Sequence, residues 1–222
     1  MSAPATQNAP AMPFGEPTPL GLLCLSIGCA ALVPLAFNVL PSDPAKFPMF
    51  FKTIGMFCLL FGAGGQFLAG IMSLANKNTL GGTLLTTFSA NWVMNWWAME
   101  EAAAGRMVDG SVVLAVDFAF IVIFLVLTYA FGFFSKLLFF FLVDIDVLYT
   151  LRIAKHFVGP DFAKVLGYGV GVSTIALIAI ALYISFVLLV NPAAGRAVFP
   201  VSNGPMFKPT PPPVAVAQKD AA

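Results

Sequence analysis

Charge is what this chain has least of. Of its 222 residues, 11 are Lys or Arg and 10 are Asp or Glu, or 9% in all, where soluble domains carry about 25%. The formal net charge of +1 leaves no basic stripe for nucleic acid, and no polybasic run borders an apolar segment. His156 is the single histidine. A His-rich metal or haem centre is thereby excluded, and no cofactor is expected. The three cysteines, Cys24, Cys29 and Cys58, lie in apolar runs at spacings that fit neither a disulfide framework nor a zinc site. They read as small buried hydrophobes. No nucleophile with a positioned base and no phosphate-binding loop occurs; Gly167-x-Gly-x-Gly sits in an apolar stretch without the strand–turn–helix setting such a loop needs. The chain is not expected to be an enzyme.

Apolar length takes the place of charge. Hydrophobic residues make up 59% of the chain, with 23 phenylalanines, and no charged residue occurs in 17–42, 53–76, 78–99, 118–135 or 165–195. A bilayer core needs about 20 apolar helical residues to cross it. Four of these runs exceed that length and the fourth, at 18, just reaches it. The expected fold is an all-α integral membrane protein, multi-pass, in the inner or plasma membrane. Six transmembrane helices are predicted at about 19–40, 50–74, 79–101, 111–134, 136–157 and 162–190. Pro41, Pro44 and Pro48 are expected to end the first crossing, Gly159-Pro160 to separate the fifth from the sixth, and Asn191-Pro192 to stop the last. One transporter domain, 17–200, then lies between a disordered tail at 1–16 and a proline-rich tail at 201–222. The first basic residue, Lys46, follows the first run, so a signal peptide's basic start is missing and the first helix is expected to be retained. Basic residues divide five against six between the two sides, which gives no orientation.

Three features within the helices carry chemistry. In the third, Thr79, Thr83, Thr87, Asn91 and Asn95 recur every four residues with Thr86 beside them. Such a row precesses about 40° per step, and it suits either a path for a small polar solute or hydrogen bonds between helices. Trp92, Trp96 and Trp97 near its end read as an interfacial anchor. The glycines of the second helix (Gly62, Gly64, Gly65, Gly70) and of the sixth (Gly167, Gly169, Gly171) read as sites of close packing. In the fifth, Asp144 and Asp146 fall near the bilayer midplane, two residues and about 200° apart around the axis. One pore cannot face both. Lys136 and Arg152 each lie eight residues from Asp144, about 12 Å along the helix. At least one Asp must therefore be protonated, hydrogen-bonded or paired across helices. Asp144 is the candidate proton carrier, against a structural pairing. Asp117 and Glu100-Glu101 read as solvated helix ends.

Together these motifs resemble the acetate uptake transporter family, the succinate–acetate permease type. Its signature Asn-Pro-Ala-Pro-Leu-Gly-Leu is matched by Pro17, Pro19, Leu20, Gly21 and Leu22, with Glu16 and Thr18 in place of Asn and Ala. Further similarity lies in Phe61-Gly62, Gln66-Phe67-Leu68-Ala69-Gly70, Asn78-Thr79, Gly81, Thr83 and Trp92, then in Gly195-Arg196, Val198 and Pro200. The fourth and fifth helices match poorly. The resemblance implies six helices per subunit, a homohexameric ring in the lipid bilayer, and one pore per subunit for acetate and related small monocarboxylates, succinate in some members. Since an apolar neck hinders an anion far more than its protonated acid, a proton, carried on the acid or handed to Asp144, is the expected partner of transport. The resemblance also implies a constriction at Leu25, Phe88 and Val143, where Phe88 replaces a family tyrosine. Gln66, Asn78, Thr79, Thr83, Thr87 and Asn91 become its expected polar lining. Two other readings stay open: a channel for neutral amides or urea, which suits the Thr/Asn row, and a non-transporting scaffold or sensor subunit.

Overall fold

The computed structural model describes residues 12–201 and 204–208. The predicted tails lie outside these residues except at 12–16, 201 and 204–208. Among the described residues the chain is helical throughout, with six long rods: α1 Thr18–Ala36, α2 Pro44–Ala75, α3 Thr79–Ala103, α4 Gly110–Phe131, α5 Lys136–Ala154 and α6 Pro160–Ala194. By length and composition α1, α2, α4 and α6 can cross a membrane. The other two, α3 and α5, carry the Thr/Asn row and the aspartates.

The helix ends follow local chemistry. Asn78 caps α3 by accepting from Gly81 N, and Asp109 caps α4 by accepting from the N–H groups of Ser111 and Val112. Pro160 opens α6 at a position where no N–H is needed, and Gly195, at φ +63°, closes it in the left-handed conformation. Two predicted ends are corrected. The first helix stops at Ala36, before Pro41; Phe37 caps it and Asn38 turns the chain at φ +54°. Pro44 and Pro48 instead sit in first turns, of a 3-10 turn and of the α-helical part of α2. At the other end α6 runs past Asn191-Pro192 to Ala194. Pro192 is tolerated because it falls in the last turn. The Asn191 side chain accepts from Val198 N and Phe199 N and donates to Phe199 O, so it secures the chain that follows.

Around the bundle the helices touch in the order α3, α2, α1, α6, α5, α4. Phe88 of α3, edge-on to Phe124 of α4 with centroids 5.3 Å apart, closes the ring. Small residues bring α1, α2 and α3 together. A Cβ on Gly62 would meet the Trp92 indole at 2.3 Å, and one on Gly65 would meet Cys24 Sγ at 2.3 Å. Over Cys58–Gly65 the α2 rod widens into a π-helical stretch containing three of its glycines. Such widenings frequently occur at functional sites.

The chain flanking the bundle also docks onto it. Asn76 accepts from Phe14 N and donates to the carbonyls of Phe14 and Gly15. Met206 N and Phe207 N both donate to Gly132 O. The Phe207 ring packs against Tyr129, Phe133 and Phe139. These parts of the expected tails are thus bound to helix ends.

Candidate functional site

Two polar vestibules face each other across the bundle. At one end, formed by the starts of α1, α3 and α5 and the end of α6, a cavity of about 280 Å³ is lined by Glu16, Thr18, Asn78, Ser135 and apolar neighbours. At the opposite end lie two adjoining cavities of about 290 and 310 Å³. Arg152 and Lys155 line both; Asp117 and His156 border the first, Lys164 and Asn38 the second. One end is therefore rich in cations. Arg152 binds Asp117 through both prongs, Nε to Oδ2 at 3.2 Å and Nη2 to Oδ1 at 2.9 Å.

Between the vestibules the interior is filled. Leu25 of α1, Phe124 of α4, Leu142, Ile145 and Tyr149 of α5 and Leu177 of α6 are each 0–1% exposed. Phe88 meets Phe124, which stacks on Phe120 at 5.7 Å; Tyr149 touches both, at 5.1 and 5.6 Å. The Arg152 guanidinium lies 5.1 Å from the Tyr149 ring centre, a cation–π contact that joins the aromatic column to the cationic vestibule. Packed rings fill the interior here.

Asp144 and Asp146 use opposite neighbours, as their 200° separation requires. Ser173 of α6 donates to Asp144 Oδ1 at 3.0 Å, and Thr128 of α4 donates to Asp146 Oδ2 at 2.7 Å. Both are hydrogen-bonded across helices, yet Asp144 Oδ2 and Asp146 Oδ1 are buried with no partner among the described residues.

Comparison with known proteins places this architecture. No family model matches the chain. A solved bacterial acetate channel, SatP, superposes with a TM-score of 0.73 over 85% of this chain and 99% of that one, at 19% sequence identity. This chain shares that channel's fold. With that fold and four helices long and apolar enough to cross a bilayer, the protein is a multi-pass membrane protein. A glyoxylate pathway regulator from Yarrowia lipolytica is 32% identical over 102 residues, 46% of this chain. The match spans 35% of that relative's length.

Within this channel fold the expected site residues separate. Leu25 and Phe88 are buried in the interior stack. Val143 is half-buried, and its neighbour Leu142 occupies the interior place on α5. A shift of one residue turns a side chain by about 100°. In the signature, Pro17, Pro19, Gly21 and Leu22 are buried and Leu20 faces outward. Pro19 O accepts from Ser185 on α6, and Gly21 packs under Leu85. Gln66 is wholly buried with both side-chain polar atoms unpartnered among the described residues.

The Thr/Asn row does not stay with the interior. Thr79 and Thr83 are exposed, Thr87 and Asn95 half-buried and Asn91 buried. Thr86 donates to Gly82 O on its own helix. The precession of a four-residue repeat carries the row around the helix, so the exposed Thr79 and Thr83 do not share the buried position of Asn91. Asn78 is a helix cap at the vestibule rim. Two more readings are overturned. Trp92, 2% exposed, belongs to the core and not to an interfacial belt. Asp117, also 2% exposed, is an ion-paired interior group and not a solvated end. Phe120, Phe124 and Tyr149 went unnoticed in the sequence. The spacing of four between Phe120 and Phe124 was the available signal; nothing local marked Tyr149.

Proposed function

We propose that this protein is a membrane channel or transporter for acetate and related small monocarboxylates in the inner or plasma membrane. The observation that carries this reading is the greasy aromatic column sealed between two polar vestibules, set in the fold of an acetate channel. An anion entering such a neck loses its hydration, at a cost of several kcal/mol. The undissociated acid avoids most of that cost. Monocarboxylates are thus favoured over succinate, which presents a second carboxyl to desolvate. Passage needs the packed Phe88 and Phe124 rings to move aside.

Proton coupling fits the same geometry. Asp144, held by Ser173 through one oxygen, has its other oxygen buried without a partner, a place for a proton in transit. The subunits assemble as a homohexamer in this reading, with one path through each. Stopped-flow swelling of vesicles carrying the protein, in acetate against empty vesicles, tests transport. Equal rates would overturn it and favour a scaffold. Uptake rising as outside pH falls, and losing that dependence in Asp144→Asn but not Asp146→Asn, supports the proton role; uptake indifferent to pH removes it. Native mass spectrometry reads the subunit number. The Thr/Asn row leaves the axis, so competition by urea or acetamide is not expected.

A further inference from the structure

The cationic vestibule holds an arginine that is already bound to a carboxylate. Arg152 reaches from α5 to Asp117 on α4 with the two-pronged geometry by which a guanidinium recognises any carboxylate. The pair is lopsided. The Asp117 side chain is 3% exposed, whereas that of Arg152 is 26% exposed. One side of the guanidinium thus opens on the vestibule while its fork is occupied from within. Lys155 lines the same two cavities, Lys164 lines one of them, and Asp117 is the only carboxylate bordering either among the described residues. Beyond its Cα, an aspartate side chain is a CH2–COO⁻ group, acetate tethered through its methyl carbon.

We propose that Arg152, flanked by Lys155, is the carboxylate-capture site of this chain, and that Asp117 is a built-in competitor holding the place of a small monocarboxylate. The proposal rests on the carboxylate-transport reading and names the residues that receive the substrate. Its logic is kinetic. A bare arginine in a desolvated mouth would hold an anion too firmly, and conduction needs binding weak enough to release. A tethered competitor weakens that hold: an incoming acetate must displace Asp117, whose fixed place on a packed helix gives it an effective concentration well above that of a flexible tether. Capture is then half-maximal at high acetate, and the returning Asp117 helps expel the bound ion. Arg152 keeps its place during the exchange because its stacking on Tyr149 is independent of Asp117.

The test is a chemical rescue. Full-length Asp117→Ala protein in detergent, at neutral pH, is thermally unfolded in sodium acetate and in sodium chloride of equal ionic strength. Acetate should restore much of the melting temperature lost in chloride, while the wild type shows no difference between the salts. Asp117→Ala/Arg152→Gln should show no rescue. Equal melting of Asp117→Ala in both salts, or equal rescue in the double variant, overturns the proposal. Should Asp117→Ala not fold in chloride or acetate, Asp117→Asn decides by NMR saturation transfer from labelled acetate. Binding several-fold tighter than wild type is expected; binding no tighter overturns the capture role. Wild-type vesicles that fail to swell in acetate would defeat the transport reading alone, and the rescue would still report whether the site exists.

Discussion

The two halves of the bundle are held together by different chemistry. In α1–α3 helix axes approach over small residues: Gly28 and Gly62 sit against the Trp92 ring, Gly70 against Thr86, and Gly82 against Leu74. The hydroxyls of Thr86 and Ser89 bond to carbonyls of their own helix. In α4–α6 the ties run from side chain to side chain, through Arg152–Asp117, Thr128–Asp146 and Ser173–Asp144, beside a stack of aromatic rings. Lipid offers no hydrophobic drive between helices, so close backbone packing and polar bonds are the two available means. The first half uses one and the second half the other. The family motifs crowd the packed half, while the charges that a carboxylate would meet lie mostly in the bonded one.

The sharpest way to break this contrast is to orphan a charge in the second half. Arg152→Met leaves the buried Asp117 without its partner. Breaking a buried pair costs about 3–5 kcal/mol, and the partial exposure of Arg152 puts the expected loss near the lower figure. Replacing both, as Asp117→Leu with Arg152→Met, should recover most of it. Thermal unfolding in detergent measures each variant. A double variant no better than the single would mean the pair does more than neutralise itself.

Next comes the packed half. Gly62→Ala puts a methyl within 2.3–2.7 Å of the Trp92 ring, and overpacking of this kind costs about 1–3 kcal/mol. Combining it with Trp92→Leu should relieve part of the loss, because the smaller side chain makes room. If Gly62→Ala melts with the wild type, the approach of α2 to α3 is looser than the contact distances state. Smaller still is the loss of one hydroxyl. Thr128→Val and Ser173→Ala each remove the side-chain partner that Asp146 Oδ2 and Asp144 Oδ1 have among the described residues, and interhelical bonds in membranes are worth about 0.6 kcal/mol on average. The two variants should be similarly mild, since both belong to the bonded half.

What was legible beforehand follows the same division. Close packing could be read from Gly62, Gly65 and Gly70 because a glycine in an apolar run has few other uses. The signature at Pro17–Leu22 could be read because Pro at a helix start is a local rule. Partners distant in sequence were hidden. Asp117 looked solvated because it lies near a helix start, and its partner Arg152 is 35 residues away. Trp92 looked interfacial beside Trp96 and Trp97, since only the assembled bundle shows Gly62 beneath it. Val143 is half-buried beside the buried Leu142, a difference of one residue that helix phase alone decides and sequence does not fix. Loop prolines were misread for a similar reason. Pro44 and Pro48 suit the first turn of one helix as well as the loop after another, and the choice depends on where α1 has already ended.

The smallest expected effect lies at the edge of the bonded half, outside the bilayer. Asp109 caps α4, and its hydrogen bond from the Ser111 hydroxyl, with those from the N–H groups of Val112 and Ser111, holds its carboxyl below the usual range. A group whose folded pKa is depressed stabilises the fold above its unfolded value and loses that contribution as pH falls through the folded one. The cap should therefore contribute fully at neutral pH and fade in acid, from an ordinary aspartate's titration range downward. Asp109→Ser keeps a capping oxygen without a charge, so the gap in melting temperature between wild type and this variant should shrink on acidification. The group is fully exposed, and salt should shrink the gap as well. A gap unchanged by both acid and salt would mean that the cap works through geometry alone, with the negative charge at the start of α4 contributing nothing.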